Sequence, residues 1–320
     1  METLKGIKVL VTGGTGFVGS HLVEELLKAG ARVVVPYRSV DPSSYFARQK
    51  LNEHTTLAYG DLKDFNRTFE IVTEYEIEYI FHLGAQATVT TAYHNPLETF
   101  QSNIIGTANI LEAARLYGKV KGIIVASSDK AYGKSIKPYT ESDPLKGTHP
   151  YEVSKSSADL ISQTYYQTYQ LPVVVTRFGN IYGPGDLNDN RIIPGIIKSI
   201  LTKEPLRIRS DGTYVRDYVY VRDVVSGYIF LLKHLDKIIG QTYNISSDNS
   251  YSVISLIRAA QKILHTKVRY TIENIAINEI PYQRLSIGKI TKLGWRSQFT
   301  LRKGLTLTYQ WYKKNHSFTN

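Results

Sequence analysis

The chain has no cysteine among its 320 residues. Disulfide bonds and thiolate catalysis are therefore excluded, and a reducing cytoplasm is the expected compartment. It also lacks any apolar run of the ~18 residues that a membrane span needs. From Met1 it enters a strand pattern with no signal-peptide signature. No internal repeat, low-complexity tract, helix-turn-helix, zinc finger or RRM pattern is present, and no metal site is expected. The 39 Lys and Arg outnumber the 28 Asp and Glu, giving a net charge of +11. Because these basic residues are scattered, the charge points to a small anionic ligand rather than to nucleic acid.

What is present is the composition of a soluble globular protein, 42% apolar and 21% charged. The length allows one large core, or a large and a small lobe. The 24 tyrosines suit half-buried sheet and interface positions and define no chemistry by themselves. Apolar runs at 7–12, 31–36, 57–62, 79–85, 122–128 and 173–177 read as buried strands. Helical patterns cover 20–29, 99–117 and 151–169, and Gly30 stops the first. This alternation predicts an α/β fold with a doubly wound parallel sheet. Its strand carboxyl ends share one edge, where ligands bind, and Gly13, Asp61, Gly84, Ser128 and Arg177 fall there. After residue 184 the rhythm changes. Residues 186–191 form a polar loop, 192–202 are helical, and later elements are short. The expected division is 1–184 as the cofactor domain, with segments near 217–246 returning to it, and 185–320 mostly as a smaller lobe.

Gly13, Gly16 and Gly19 follow the first strand at the spacing G-x-x-G-x-x-G and open the first helix. The first glycine permits a tight turn, the second lets the backbone approach a pyrophosphate, and the third lets helix and strand pack closely. The helix N-terminus adds N–H donors and partial positive charge, so a dinucleotide is the expected ligand. At the tip of the second strand, Pro36-Tyr37-Arg38-Ser39 offers no carboxylate for a ribose 2′-hydroxyl. Arg38 suits a 2′-phosphate, or stacks on adenine, which favours NADP over the alternative, NAD. Asp41 lies near enough to complicate that choice.

Tyr151 and Lys155 stand one helical turn apart. A nearby ammonium is expected to stabilise tyrosinate and lower the phenol pKa toward working pH. Lysine can also hold the nicotinamide ribose. Ser127-Ser128-Asp129-Lys130 ends the fifth strand beside that helix. Ser128 can bridge a reacting hydroxyl and Tyr151, while Asp129 and Lys130 add an acid and a potential base.

With these motifs the chain resembles the extended short-chain dehydrogenases/reductases of the nucleotide-sugar epimerase/dehydratase family. The likeness extends through His82-Leu83-Gly84-Ala85-Gln86, Asn103-Ile104-Ile105-Gly106-Thr107, Arg177-Phe178-Gly179-Asn180, Arg216-Asp217-Tyr218 and Leu293-Gly294-Trp295. It implies a Rossmann-type cofactor domain with a smaller mixed α/β substrate lobe. It places Phe17, Val18, Leu83 and Ala85 with the cofactor, and Asp61 and Leu62 near the adenine. Asn180 and Arg216 match positions that hold a sugar-nucleotide diphosphate, with Gln86, Arg191 and Arg284 as further substrate candidates. It also implies a homodimer through a four-helix interface formed by the helices near 99–117 and 151–169.

Two reactions start alike, with Tyr151 taking the proton from a sugar 4-hydroxyl to give a 4-keto intermediate. A 4-epimerase returns hydride to the opposite face. A 4,6-dehydratase removes the carbon 5 proton and expels water from carbon 6, which needs an added acid and base. Ser128-Asp129-Lys130 and Asn190-Arg191-Ile192-Ile193-Pro194 resemble the CDP-glucose 4,6-dehydratase branch. Arg38 is similar to the GDP-mannose 4,6-dehydratase branch. A dehydratase leads, a UDP-sugar type epimerase follows, and a non-catalytic NAD(P)-binding protein is third, disfavoured by the intact Ser128, Tyr151 and Lys155. In the leading reading Asp129 protonates the departing hydroxyl and Lys130 assists at carbon 5.

Overall fold

The structure, a computed structural model, describes residues 4–247, 249–275 and 279–315. Six strands alternate with helices along the first half: β1 (Lys8–Thr12), β2 (Arg32–Tyr37), β3 (Thr56–Tyr59), β4 (Tyr79–His82), β5 (Gly122–Ala126) and β6 (Val173–Phe178). Then come β7 (Asn180–Tyr182), β8 (Leu206–Ile208), β9 (Val215–Tyr220) and β10 (Thr242–Ile245). A seven-stranded sheet takes the order β10-β6-β5-β4-β1-β2-β3, and every neighbouring pair is parallel. This is the doubly wound arrangement expected from the alternation. Side chains alternate between the two faces of each strand. Val9 and Val11 pack with Leu22 and Leu26 of the first helix, whereas Leu10 packs with Ile110 and Leu111 on the other face.

The remaining strands are β11 (Ser250–Ser252), β12 (Tyr270–Ile272) and β13 (Tyr282–Gln283). β11, β9 and β13 form a second sheet, joined by β7 through β9, and β12 pairs with β8. A separate core unites Ile193, Ile196 and Ile197 with Leu256, Leu301 and Leu305. Two later segments return to the large sheet. The helix Val221–Lys233 buries Val224, Tyr228 and Leu231 against it, and β10 extends it beside β6.

Several boundaries differ from the sequence pattern. The first helix spans Phe17–Lys28 and so starts three residues before 20, directly after Gly16. β3, β4 and β5 stop at Tyr59, His82 and Ala126, which leaves Asp61, Gly84 and Ser128 in the following loops. The region 99–117 is not one α-helix. A short helix, Pro96–Phe100, passes into a π-turn, Gln101–Ile105, before the helix Gly106–Tyr117. The π-turn carries Asn103, whose amide clamps the Gln86 main chain at 2.7 and 3.0 Å and donates to Ser154 Oγ at 2.9 Å. Such bulges re-aim a side chain that a regular helix would point elsewhere.

Arg177 also departs from expectation. It lies within β6 rather than at its open end and is 2% exposed. Its guanidinium grips Asp159 through two bonds of 2.7 and 3.0 Å and also donates to the Tyr132 hydroxyl at 2.7 Å. A charge this deep needs such partners, because an unpaired one costs several kcal/mol. Arg177 therefore holds the helix Pro150–Tyr169 to the sheet and is not free for a ligand.

Candidate functional site

The glycine turn sits at the carboxyl edge of the sheet. Gly13 has φ +69°, and a Cβ on it would lie 2.9 Å from the Gly84 nitrogen and 3.0 Å from the Leu83 carbonyl carbon. Any other residue there would push apart the two loops that form the cradle. Gly19 packs against the Gly13 carbonyl oxygen so closely that a Cβ would collide with it. Gly16 is the N-cap of the first helix, in extended conformation and with no side-chain cap. Among the described residues no side chain caps the N–H groups of this first turn, which fits a pyrophosphate. Below them, His82 bridges Thr12 and Thr107 at 2.8 and 2.9 Å, and burial holds its pKa down to about 3, so it is a neutral strut.

At the far end of the cradle, Arg38 is 60% exposed and meets two carboxylates, Asp61 at 3.3 Å and Glu98 at 3.7 Å. Lys63 joins them, 2.9 Å from Glu98 and 3.6 Å from Asp61. Burial pushes the Asp61 carboxyl up, but the Lys63 N–H and the Arg38 and Lys63 charges outweigh it and hold the group below its usual range. The tip of β2 has no carboxylate in sequence, yet the fold supplies two from elsewhere. Leu62 packs beside them in the second core and would meet a Cβ on Gly84.

The helix Pro150–Tyr169 starts at a well-defined cap. His149 Nδ1 accepts from the Tyr151 N–H at 3.2 Å, Glu152 reaches back to the His149 and Thr148 N–H groups at 3.2 and 2.9 Å, and Pro150 occupies the first turn. These bonds fix the turn that carries Tyr151. One turn on, the Lys155 ammonium donates to the Ala126 carbonyl at the end of β5, 2.9 Å away. Burial pulls the Lys155 pKa down to about 8, against the pull of Asp159.

The expected lowering of the Tyr151 pKa is not observed. Burial pushes the phenol up to about 12; the Arg191 charge and the Ser128 hydrogen bond act against this, and Asp129 acts with it. Lys155 is engaged by the Ala126 carbonyl, and desolvation outweighs the charges around the phenol.

Ser128 donates to Asp129 at 3.0 Å, and Lys130 Nζ approaches the same carboxylate at 3.4 Å and Asn180 Oδ1 at 3.3 Å. Asp129 is 1% exposed and lies behind these groups, so it does not line the cavity. The direct acid role expected for it therefore does not match its position. Lys130 is the member of the pair that reaches the cavity wall. That cavity, about 420 Å³, is also lined by Val18, Leu83, Ala85, Ser128, Tyr151 and Lys155. Ser127 Oγ is buried on the same wall with no hydrogen-bond partner among the described residues, which suits a polar ligand.

The expected substrate residues divide. Asn180, Arg191 and Arg216 line the cavity, whereas Gln86 and Arg284 do not. Gln86 is held by its main chain through Asn103, and Arg284 stands 3.7 Å from the buried Asp217. Arg191 pairs with Asp186 at 3.1 Å, and Arg216 donates to the Val215 and Pro281 carbonyls at 2.9 and 3.3 Å. Lys63, Glu98 and Arg209 carry no signal in the sequence pattern, whereas Asn103 stands in one of the stretches of family resemblance but with no role attached to it there. No three His, Asp or Glu side chains gather as a metal site among the described residues.

Comparison with known proteins fits this geometry. A family model, "NAD dependent epimerase/dehydratase family", matches residues 9–246. The chain belongs to this family. Among relatives, human dTDP-D-glucose 4,6-dehydratase is 30% identical over 98% of this chain and 92% of its own length. CDP-glucose 4,6-dehydratase of Salmonella typhimurium is 32% identical over 72% of this chain and 67% of its own. The chain spans about half the length of trifunctional Arabidopsis thaliana proteins that include a UDP-glucose 4,6-dehydratase, matching 48% of them at 29–30% identity. Two solved structures superpose closely. The UDP-glucose 4-epimerase of Thermotoga maritima with UDP-glucose gives a TM-score of 0.88 at 30% identity, covering 96% of this chain and 99% of that one. The dTDP-glucose 4,6-dehydratase of Bacillus anthracis with NAD gives 0.85 at 26%, covering 97% and 98%.

Proposed function

We propose that this protein is an NAD(P)-dependent nucleotide-sugar 4,6-dehydratase acting through a 4-keto intermediate, with a CDP-glucose or GDP-mannose type substrate. The observation that carries the reading is Lys130. Its ammonium, held by Asp129 and Asn180, stands on the cavity wall that also presents Ser128, Tyr151 and Lys155. A 4-epimerase needs only the last three, whereas loss of water needs one more proton carrier. The dehydratase names of full-length relatives support the same choice. A UDP-sugar 4-epimerase is the second reading, favoured by the fit to the Thermotoga maritima enzyme.

A nicotinamide cofactor, held by the turn from Gly13 to Gly19 and by Lys155, would supply the hydride acceptor for carbon 4 and the hydride donor for carbon 6. Tyr151 takes the carbon 4 hydroxyl proton, with Ser128 bridging the two oxygens. Burial keeps the phenol protonated, so the basic form needs positive charge close by, and Lys155 is the resident source. At the other end of the sugar Lys130 carries the proton from carbon 5 to the carbon 6 oxygen, the carbon 6–oxygen bond breaks as a carbon 5–carbon 6 double bond forms, and water departs. Lys130 fits this role because it is the further proton carrier on the cavity wall, and Asp129 holds it. Offered CDP-glucose, GDP-mannose and UDP-glucose in turn, the protein should convert one to a 4-keto-6-deoxy product lighter by one water. An isomer of equal mass would favour the epimerase.

NADP is the proposed cofactor, with NAD as the alternative borne by solved relatives such as the Bacillus anthracis enzyme. Arg38 is exposed enough to take a 2′-phosphate, although Asp61 and Glu98 compete for it. Arg38→Ala should weaken NADP binding about tenfold, the scale of one charge-assisted hydrogen bond, and NAD less than twofold. A wild type that prefers NAD tenfold or more would remove Arg38 from this role. No described helix is long and apolar enough to cross a membrane, and the cytoplasm is the proposed location. Leu116, Leu160 and Tyr169 are exposed on the helices Gly106–Tyr117 and Pro150–Tyr169. Their exposure supports a homodimer closed through these helices.

A further inference from the structure

The catalytic cavity does not end at the sugar site. A second cavity of about 570 Å³ adjoins it and shares Arg191, Ile192, Arg209, Ser210, Val253 and Glu279 with it. Ser128, Tyr151 and Lys155 line only the first. A third, of about 390 Å³, meets both at Arg209 and Glu279. A nucleotide sugar is a sugar and a nucleoside joined by a diphosphate. With the sugar at Tyr151 and the nucleoside in the second cavity, the diphosphate crosses their shared wall.

Among the described residues three guanidiniums line the first cavity, and two of them already have work within the protein. Arg191 pairs with Asp186 at 3.1 Å. Arg216 serves the Val215 and Pro281 carbonyls and lies 4.0 Å from Glu279. Arg209 has no hydrogen bond or ion pair among the described residues, and its side chain is exposed to the cavities. Its backbone is nevertheless held. It follows β8, which pairs with β12, its carbonyl accepts from the Ile275 N–H at 2.7 Å, and the next residue, Ser210, is buried. A free guanidinium on a fixed backbone is the arrangement that grips phosphate oxygens through two bonds. Glu279 lines the same wall, but its carboxylate faces Arg216.

We propose that Arg209 binds the diphosphate of the substrate, supplying the charge that Arg191 and Arg216 have partly committed. This rests on the nucleotide-sugar reading above. The test is calorimetric titration of the protein as purified with CDP, UDP, GDP and dTDP and with the matching nucleosides. Arg209→Ala should weaken the best-bound diphosphate ~10–100-fold, the loss of one or two charge-assisted bonds. It should change nucleoside and NAD affinity less than about twofold, and Arg209→Lys should recover part of the loss. Diphosphate binding unchanged in Arg209→Ala overturns the proposal while leaving the nucleotide-sugar reading intact. An equal loss for the nucleoside overturns it too, since Arg209 would then contact the base. If the unaltered protein binds none of the four diphosphates, both readings fail.

Discussion

Tyr151→Phe should lower turnover at least ~100-fold, the scale of losing one general acid–base group, with cofactor affinity unchanged within about twofold. The ring is 8% exposed and packed, so phenylalanine fills the same space and the helix cap, which uses backbone and the side chains of His149 and Glu152, is untouched. What disappears is the hydroxyl. Ser128 keeps its bond to Asp129, so the loop after β5 should hold its shape. Steady-state kinetics beside a thermal melt separates the two causes. A large fall in kcat with an unmoved melting temperature places the defect in the chemistry. Turnover within about threefold of wild type would take Tyr151 out of the mechanism, for either sugar reaction.

Lys130→Met should separate the two reactions. Methionine keeps much of the stem but carries no proton. In a dehydratase the carbon 4 oxidation should survive, because Ser128, Tyr151 and Lys155 remain, while water loss falls ~100-fold or more. Reduced nicotinamide should then build up and be visible by absorbance. Asp129→Asn should act in the same direction but more weakly, because Asp129 reaches the sugar only through its hold on Lys130 and Ser128. Some destabilisation is expected from leaving the Asp129 carboxylate without its cation. It should stay well under the ~3–5 kcal/mol of a fully buried pair, because Lys130 is 23% exposed and Ser128 remains. In an epimerase neither change should slow interconversion, since both hydride steps lie at carbon 4.

The parts legible in the sequence are those written in local pattern. Gly13, Gly16 and Gly19 after an apolar strand read directly as a cradle, and the 3.6 and 2 periodicities gave the parallel sheet. Tyr151 and Lys155 were legible because a four-residue spacing fixes one helical face. What was hidden depends on residues far apart in the chain. Asn103 breaks its helix because Gln86 and Ser154 wait for its amide. Arg177 turns inward because Asp159 stands on the helix packed over β6. Asp129 and Lys130 are neighbours in sequence, yet only one of them lines the cavity, and no spacing rule predicts which. Arg209 is a plain surface arginine in sequence; its interest comes from where three cavities meet and from the carboxylates and carbonyls that occupy its neighbours. The rise in the Tyr151 pKa was invisible for a similar reason, since burial depends on the whole fold.

The central claim is that this chain removes water across carbons 5 and 6 of a nucleotide sugar. The most direct measurement is mass and NMR analysis of the product formed in heavy water from CDP-glucose, GDP-mannose or UDP-glucose. The account predicts a 4-keto-6-deoxy nucleotide sugar lighter than its substrate by one water, with a solvent deuteron at carbon 5. A product of unchanged composition, inverted at carbon 4 and carrying no solvent deuterium, would contradict it.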